Sequence, residues 1–448
     1  MKCITSKCQI RFDMETPVIH IFVDEVNQRL MYALNLMLND RGVKYQLEND
    51  PVRFKSVEGP KFVYSDYPFN EPYLTFSPAE ILFENTISSV FVEKVVWEEM
   101  EILAFKKVPD IFASVFYVAS LYHEHLTDRT DEHERIIGKD SFLDKQGWLN
   151  KCIIDYWSDG LISLLRNQFS IELPTPNKEL TVVPTFDIDN AYAYKLKTGM
   201  RKYLSTLKDW LKWDIQRIKE RKLVLSGAVK DPYDDYDYIR NISERGFPVK
   251  LFWLLGDFSD FDRNIDWKDP YHRRLILQMN RHAVVGLHPS YKSNQQLGLL
   301  CEEKKRLEQI LGNEVANTRQ HFLKIEHKKT FASLLGAGFT DDYSLGFADV
   351  VGFRAGLSRP FPWFNLKANR ISELTLHPFA YMEVTLKDYL RLNTEEAKVV
   401  VEELWKEAVQ YGGEFICLWH NETIGDTGKW KGWSEVLEFT LNFQNLAR

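Results

Sequence analysis

Several apolar segments in the C-terminal part of the sequence end in residues that can move protons or bind metals. TVVPTF ends in Asp187-Ile188-Asp189, LFWLL in Gly256-Asp257, AVVGL in His288 and EFICLW in His420, and VANT leads directly into Arg319-Gln320-His321. Carboxylates and imidazoles act as general acids and bases and as ligands of transition metals. Asp187 and Asp189 point to the same side of an extended segment, because side chains alternate along a strand. The pattern indicates one shared site.

These segments belong to an alternation of short apolar runs and long amphipathic stretches. The expected strands are TVVPTF, PVKLFWLL, AVVGL, ELTL and EFICLW, and the expected helices are KLKTGMRKYLSTLKDWLKWDIQRIKERK, NQQLGLLCEEKKRLEQILG and TEEAKVVVEELWKEAVQYGG. The last helix has Asn393 or Thr394 as its cap and closes at Gly412. Strands that alternate with helices predict a parallel sheet or barrel, whose strand ends converge on one face.

The first part of the chain has a different pattern. Residues 48–76 are rich in Pro, Asn, Asp and Gly, with short extended runs between turns, and helical periodicity begins at Asp110. ELPTPNKEL, residues 172–180, is the best linker in the chain. We therefore predict an α/β accessory domain over residues 1–175 and a catalytic domain over residues 176–448. The first shows no catalytic constellation, and we expect it to shape access to the site or to mediate assembly.

Composition excludes several classes of protein. The chain has 448 residues, of which 44% are hydrophobic and 27% charged, and this is typical of globular proteins. A net charge of −7 argues against nucleic acid as a partner. No apolar run is long enough for a membrane span and no secretory signal is visible, so we expect a cytoplasmic protein. The five cysteines, scattered and without a CxxC pair, indicate ordinary thiols in a reducing compartment.

The motifs of the C-terminal part resemble, in the same order, those of the polysaccharide deacetylases of carbohydrate esterase family four. PTFDID resembles the first motif, GLHPSYKS the second, NTRQHFL the third and CLWHNE the fifth, and TDDYSLGFADVVGFRAG stands where the fourth would be. The resemblance covers residues 180 to about 435 and is nearest to a divergent bacterial branch with an extra N-terminal domain of unknown function. DIFASVFYVASLYHEHL and DKQGWLNK extend it into the first domain. It implies an α/β fold, a distorted (β/α) barrel of about seven strands.

The resemblance also implies an activity, namely the removal of N- or O-acetyl groups from a carbohydrate with the help of a divalent metal. Zinc is the expected ion, with cobalt, nickel or iron as alternatives. In this pattern Asp187 acts as general base, Arg319 orients it, and His420 acts as general acid. Asp189 and His288 bind the metal. The expected substrate is a surface-glycan precursor.

One departure from the family pattern concerns the metal site. The second motif usually has another histidine four residues after the first, and here that position is Lys292. An ammonium group repels a dication unless it points away, so the third ligand must come from another strand end. We expect His321 to supply it, because it follows Arg319 at the same face of the barrel.

Further residues near these motifs are candidates for contacts with the sugar. They are Asp257, Arg263, Ser290, Tyr291, Arg354, Trp419 and Asn421. Residues 256–264, with Phe258 and Phe261, and the loop 346–370, with Phe353, Trp363 and Phe364, could line a sugar groove or simply pack. His123-Glu124-His125 and His133 have a metal-like composition, but we interpret them as a solvated surface. Residues 231–238 are expected to be a polar connection.

Two other functions remain open on the sequence alone. Lys292 in place of a ligand is compatible with a catalytically inactive descendant that binds glycans. Alternatively, Asp187 with Asp341 or Asp342 could form the carboxylate pair of a glycosidase, which needs no metal.

Overall fold

The computed structural model describes residues 16–197, 215–326 and 328–446. Much of the predicted helix over residues 195–222 lies outside these ranges, and its described end is helical from Ile215. None of the helices among the described residues has the length and apolar character needed to cross a bilayer. Cys152, Cys301 and Cys417 are free thiols, as predicted, and Cys3 and Cys8 lie outside the described residues.

The N-terminal part contains two small sheets and six helices among its described residues. A parallel sheet has the strand order β2-β1-β3-β4, and an antiparallel sheet has the order β5-β6-β7. The strands are β1 Ile19–Val23, β2 Tyr45–Glu48, β3 Lys61–Tyr64, β4 Leu74–Phe76, β5 Val92–Trp97, β6 Met100–Phe105 and β7 Val108–Pro109. The helices are α1 Gln28–Met37, α2 Pro51–Ser56, α3 Ile111–Ala119, α4 Tyr122–His125, α5 Phe142–Gln146 and α6 Ile153–Phe169.

The C-terminal part is built on one nine-stranded sheet with the order β13-β14-β12-β11-β10-β9-β8-β16-β15. Its strands are β8 Leu180–Ile188, β9 Lys250–Leu254, β10 Val284–His288, β11 Asn317–Thr318, β12 Asp341–Asp342, β13 Phe361–Asn365, β14 Arg370–Leu376, β15 Phe379–Met382 and β16 Gly413–His420. Eight of them run parallel, and only β13 pairs antiparallel, with β14. The expected number of about seven was therefore too low.

Helices separate most of the strands of this sheet. They are α7 Ile215–Leu225, α8 Tyr236–Glu244, α9 Pro270–Met279, α10 Leu297–Leu311, α11 Thr330–Gly336, α12 Thr394–Ala408 and α13 Ser434–Leu446. Local signals set the helix ends. Asn393 caps α12 in a capping box with Glu396, and Gly312 ends α10 in a left-handed conformation that a glycine adopts without steric cost.

The sheet curls so that strands far apart in its order approach one another. The imidazole of His377 contacts Asp341 of β12 at 3.0 Å and Glu414 of β16 at 2.8 Å, although four strands separate β12 from β16. The concave side is filled by apolar and aromatic residues from several strands and the loops beside them, including Val183, Phe252, Tyr343, Phe379, Ile416 and Leu418. This curvature brings the carboxyl ends of the parallel strands together.

Candidate functional site

The predicted site residues meet at the carboxyl ends of the parallel strands. Asp187 lies near the end of β8 and pairs in register with His420, the last residue of β16. His288 ends β10, and Arg319 follows β11 on the neighbouring strand. Each strand carries apolar side chains into the core up to its last residues, and the polar residues begin where the strand leaves the core.

Asp189, His288 and His321 form the one group among the described residues whose ligand atoms could hold a metal ion, all within 4.8 Å of one another. His288 Nε2 lies 3.2 Å from Asp189 Oδ1, and His321 Nε2 lies 3.6 Å from Asp189 Oδ2. Both imidazoles are buried, while Lys292 is exposed to solvent. The structure thus brings the expected third imidazole to the site and leaves the lysine outside it.

The hydrogen bonds of the two imidazoles leave the correct nitrogen available for a metal. His288 Nδ1 donates to the carbonyl oxygen of Arg319 at 2.6 Å, and His321 Nδ1 donates to Asp262 Oδ1 at 3.0 Å. With Nδ1 as the donor, each Nε2 faces the cluster and is the nitrogen that could bind a cation. Asp189 Oδ1 is buried there without a hydrogen-bond partner. Two imidazoles fixed in this way and one carboxylate fit a zinc-type ion.

The charges of the cluster favour an ionised carboxylate. Burial raises the pKa of Asp189, but His321 and His288 outweigh this and hold the pKa well below its ordinary value. Burial lowers the pKa of His321, but Asp189 and Asp262 together raise it to about 9. In the absence of a cation the carboxylates therefore attract a proton to the imidazole, and a cation takes over that positive charge.

Arg319 fixes the second aspartate of the pair. Its Nη1 donates to Asp187 Oδ1 at 3.0 Å and its Nε donates to the carbonyl oxygen of Tyr343 at 2.8 Å, with the guanidinium fully buried. Asp187 Oδ2 lies 3.7 Å from His288 Nε2. Ile188 between the two aspartates is buried in the core, so both carboxylates point to the same side, as predicted.

His420 is held by a carboxylate that the sequence analysis missed. Its Nδ1 donates to Glu383 Oε1 at 2.7 Å, and the same oxygen accepts the backbone N–H of His420 and the hydroxyl of Thr423. His420 Nε2 lies 4.0 Å from Asp189 Oδ2. Burial lowers the pKa of His420, but Glu383, Asp189 and Asp187 together raise it to about 10. The imidazole is therefore protonated at neutral pH.

These groups share a pocket of about 210 Å³. Its lining consists of Arg135, Asp187, Asp189, His288, His321, Phe322, Leu323, Met382, Val384, Tyr389 and His420. The lining combines the ionisable groups of the cluster and of His420 with the apolar side chains of Phe322, Leu323, Met382 and Val384. Arg135 comes from the N-terminal part of the chain, and no pattern in the sequence indicated its place here.

The seven residues predicted to contact the sugar do not line this pocket. Ser290 donates its hydroxyl to Glu303, Asn421 donates to the carbonyl oxygens of Asn190 and Tyr233, and exposed Asp257 pairs with Arg306. Arg263 is exposed, and its Nε donates to the carbonyl oxygen of Asp260. Tyr291 is half-buried and stacks on Phe261 at 4.3 Å, beside Phe322.

Two of these predictions are wrong because the side chains lie in the interior. Trp419 of β16 is fully buried in the core, so its ring offers no face to a sugar. Arg354 is buried and forms two hydrogen bonds with Glu124 of α4, at 3.0 and 2.9 Å. The solvated surface expected at His123-Glu124 is wrong for the same reason, since both side chains are buried.

The remaining segments named from the sequence have structural roles. Phe353, Trp363 and Phe364 are buried, whereas Phe258 and Phe261 are exposed beyond the pocket. The polar connection expected at residues 231–238 is found over residues 231–235, where Asp231 accepts backbone N–H groups of Ala193, Tyr194 and Lys195, and α8 begins at Tyr236.

Neither Asp341 nor Asp342, the partners considered for Asp187 in a glycosidase pair, lines the pocket. The carboxylate of Asp341 contacts His377, which also contacts Glu414 near the start of β16, whereas Asp187 pairs in register with the end of that strand. Asp341 therefore belongs to a separate cluster, outside the pocket that Asp187 lines. Asp342 is fully buried, and its carboxylate accepts hydrogen bonds from Ser344.

Comparison with known proteins gives a family for the N-terminal part only. Residues 19–170 match a family of unknown function, DUF7033. Among curated proteins, none matches the chain.

Solved structures give distant matches to part of the chain. One is annotated in its name as a putative polysaccharide deacetylase from Mycobacterium smegmatis, with 13% identity, 61% of this chain and 91% of that chain covered, and a TM-score of 0.39. A probable polysaccharide deacetylase from Pseudomonas aeruginosa PAO1 has 10% identity, coverage of 59% and 84%, and a TM-score of 0.36. IcaB from Ammonifex degensii has 16% identity, coverage of 38% and 86%, and a TM-score of 0.22. At these scores the matches carry no argument about function.

Proposed function

We propose that this protein is a metal-dependent hydrolase that removes acetyl groups from a carbohydrate. The observation that carries the proposal is the cluster of Asp189, His288 and His321, with both Nε2 atoms available, beside the Asp187–Arg319 pair. The class of substrate is supported by the order and wording of the motifs PTFDID, GLHPSYKS, NTRQHFL and CLWHNE. A cytoplasmic location and a surface-glycan precursor as substrate belong to the same proposal.

Asp189, His288 and His321 would hold a divalent cation, with zinc the ion best suited to two imidazoles and one carboxylate. The cation supplies Lewis acidity, which makes water acidic near neutral pH and polarises an acetyl carbonyl. The protein must then accept one proton from the attacking water and deliver one to the leaving group.

Asp187 is the acceptor of the first proton. Its Oδ1 is occupied by Arg319, while its Oδ2 faces the cluster next to His288. The buried guanidinium of Arg319 keeps the carboxylate ionised and fixes its orientation, so that it is poised to act as a base.

His420 is the donor of the second proton. Because its Nδ1 is committed to Glu383, its Nε2 is the nitrogen that faces the pocket and Asp189. Its raised pKa keeps it protonated until the leaving amine or alkoxide needs the proton. A base and an acid that line the same small pocket are the arrangement that hydrolysis of an amide or ester requires.

The test compares the asparagine variants of Asp187 and Asp189, which are separated by Ile188. We expect Asp187→Asn to lose turnover by about 10²-fold or more while it retains bound zinc, because the amide keeps the shape but accepts no proton. Asp189→Asn should instead lose zinc, and activity with it. Zinc content and acetate release from acetylated oligosaccharides, with and without a chelator, measure the two effects, and exposed Asp260→Asn is the matched control.

The outcomes separate the alternatives. Loss of zinc in Asp187→Asn but not in Asp189→Asn would reverse the two roles. A wild-type chain that binds no zinc, cobalt, nickel or iron, and gains no thermal stability from them, would contradict the proposal and favour a glycan-binding protein without catalysis.

A further inference from the structure

A turn of the N-terminal part, residues 131–135, reaches the pocket of the C-terminal part. Asp131 shapes this turn, because its carboxylate accepts the backbone N–H groups of His133 and Arg135 at 2.9 and 3.0 Å. The same carboxylate accepts Nε of Arg135 at 2.7 Å. The guanidinium of Arg135 is therefore held in one orientation, and it lines the pocket.

Three consecutive residues of this turn contact the loop that follows His321. Arg135 Nη1 donates to the carbonyl oxygen of Phe322 at 3.0 Å. Glu134 forms an ion pair with Lys324 at 2.7 Å, and the lysine side chain is almost fully buried. The ring of His133 packs on the ring of Phe322, with centroids 4.7 Å apart.

The contacted loop has an unfavourable backbone. Phe322 has φ 59° and ψ 12°, and Leu323 has φ 52°, so two successive residues with side chains adopt the left-handed conformation. This conformation is disfavoured for residues with a Cβ atom and persists only where the surroundings impose it. His321 lies directly before this segment, so its position depends on the conformation being kept.

Arg135 is suited to impose the left-handed conformation on Phe322 and Leu323. The guanidinium is 12% exposed and contacts Asp131, the carbonyl oxygen of Phe322 and the hydroxyl of Tyr389 at the same time. A planar group with several donors at fixed angles can hold three acceptors together, whereas a lysine ammonium on a flexible stem cannot.

We propose that Arg135 is a positioning residue for His321, so that the N-terminal part completes the metal site of the C-terminal part. The inference rests on the proposed function, in which His321 is a metal ligand. It assigns to the segment matched by the family of unknown function a role in holding the metal site in place. Arg135 acts through the 321–324 loop and need not touch the substrate.

The experiment uses the full chain with Arg135→Gln and Arg135→Lys. Arg129→Gln is the matched control, since Arg129 lies near the same turn but is 69% exposed in a surface pair with Asp140. Zinc affinity is measured by competition with a chromophoric chelator, and the ligand geometry by the visible spectrum of the cobalt-substituted protein. We expect both Arg135 variants to bind zinc about tenfold more weakly or worse, with an altered cobalt spectrum, and the control to match the wild type.

Hydrogen–deuterium exchange of the metal-free protein provides a readout that does not depend on metal binding. The backbone N–H of Leu323 donates to Gln320 and that of Lys324 to His321, and both bonds depend on the left-handed turn. We expect faster exchange over residues 320–326 in both Arg135 variants and not in Arg129→Gln.

Unchanged exchange in this loop would overturn the inference whether or not the protein binds metal. Wild-type zinc affinity in a variant whose loop exchanges faster would overturn it as well, because the turn would then not govern the ligand. A wild-type chain without metal affinity but with the expected change in exchange would count against the proposed function alone. A general loss of fold is distinguished by thermal unfolding of the metal-free variants, which we expect to remain cooperative.

Discussion

Each imidazole of the site has its Nδ1 committed to a protein acceptor, so that Nε2 faces the pocket. His288 donates to a neutral carbonyl oxygen, whereas His321 and His420 donate to the carboxylates of Asp262 and Glu383. Acceptors of both kinds fix the ring of a metal-binding histidine. In the proposed mechanism the site is thus divided into two metal ligands, held by either kind of acceptor, and one general acid, His420, whose imidazolium the carboxylate of Glu383 favours.

Glu383→Gln tests this division at the level of one residue. The amide removes the negative charge that does most to raise the pKa of His420, so the pKa should fall from about 10 towards its ordinary value. His420 acts in its protonated form, so the variant should lose activity at a lower pH than the wild type. We expect the alkaline limb of the profile of kcat against pH to move to lower pH, with zinc affinity retained.

The matched control is Glu373→Gln, an exposed carboxylate on strand β14. An unchanged alkaline limb in Glu383→Gln would show that His420 is not the acid, or that Glu383 does not set its protonation. Loss of zinc in Glu383→Gln would place His420 with the metal ligands instead.

The elements that present these residues were predictable where an apolar run was long enough. The runs TVVPTF, PVKLFWLL, AVVGL, ELTL and EFICLW correspond to β8, β9, β10, β14 and β16. Four of these strands, β8, β9, β10 and β16, are buried along most of their length, which makes them visible as continuous apolar runs. The residues Asp187, His288 and His420 were found because they end such runs.

The apolar pattern of the sequence did not predict the shorter strands. A site residue that follows one of them was therefore missed as well. β15 has only four residues, FAYM, and follows β14 after two residues, so it was not separated from ELTL. Glu383 directly follows β15 and meets the same criterion as His420, a polar residue at the end of a buried strand. Asp262 and Arg135 lie in loops whose positions depend on tertiary contacts, and sequence periodicity gives no information about such contacts.

The curled sheet itself contains a titratable bridge. His377 contacts Glu414 through Nδ1 and Asp341 through Nε2, and only the protonated imidazole can donate to both carboxylates. Burial lowers the pKa of His377, but Asp341 and Glu414 raise it above its ordinary value. The bridge joins strands β12 and β16, so its charge state bears on the stability of the curled sheet.

We expect this bridge to make the free energy of unfolding depend on pH. The pKa of His377 is higher in the folded than in the unfolded chain, so its stabilisation is complete below about pH 6.5 and is lost as the pH rises through the folded pKa. His377→Gln removes this proton linkage, and the loss of stability between pH 6 and pH 9 should be smaller than in the wild type. Urea denaturation at both pH values measures it. His282→Gln, outside the bridge, should keep the wild-type dependence, and equal dependence in His377→Gln would refute the role of the bridge.

Across the whole molecule, the N-terminal and C-terminal parts share one continuous core. The largest cluster of buried apolar residues includes strands and helices of both parts, from Ile19 to Phe443. Tyr32 of α1 lies 5.2 Å from Phe364, ring to ring, and Arg359 donates to Asp155 of α6. The parts are therefore coupled in stability, and this coupling is what allows a turn of the first part to act on a loop of the second.

Substitutions in the buried pair of Glu124 and Arg354 test the coupling between the two parts. The two side chains are 1% and 3% exposed and form two parallel hydrogen bonds across the contact between the parts. Glu124→Gln leaves the guanidinium buried without its counter-charge, which costs about 3–5 kcal/mol. The exposed pair of Lys106 and Glu80 is the matched control, and Glu80→Gln should leave stability nearly unchanged, because solvent screens an exposed pair.

The double variant Glu124→Gln with Arg354→Met completes the cycle. It removes the charge that the single variant leaves uncompensated, so it should be less destabilised than the sum of the two single variants. Urea unfolding followed by tryptophan fluorescence gives the three values. If the parts are coupled as their shared core indicates, every variant should unfold in one transition. Two separate transitions would mean that the N-terminal part folds independently. Additive effects of the two substitutions would mean that the pair contributes nothing across the contact.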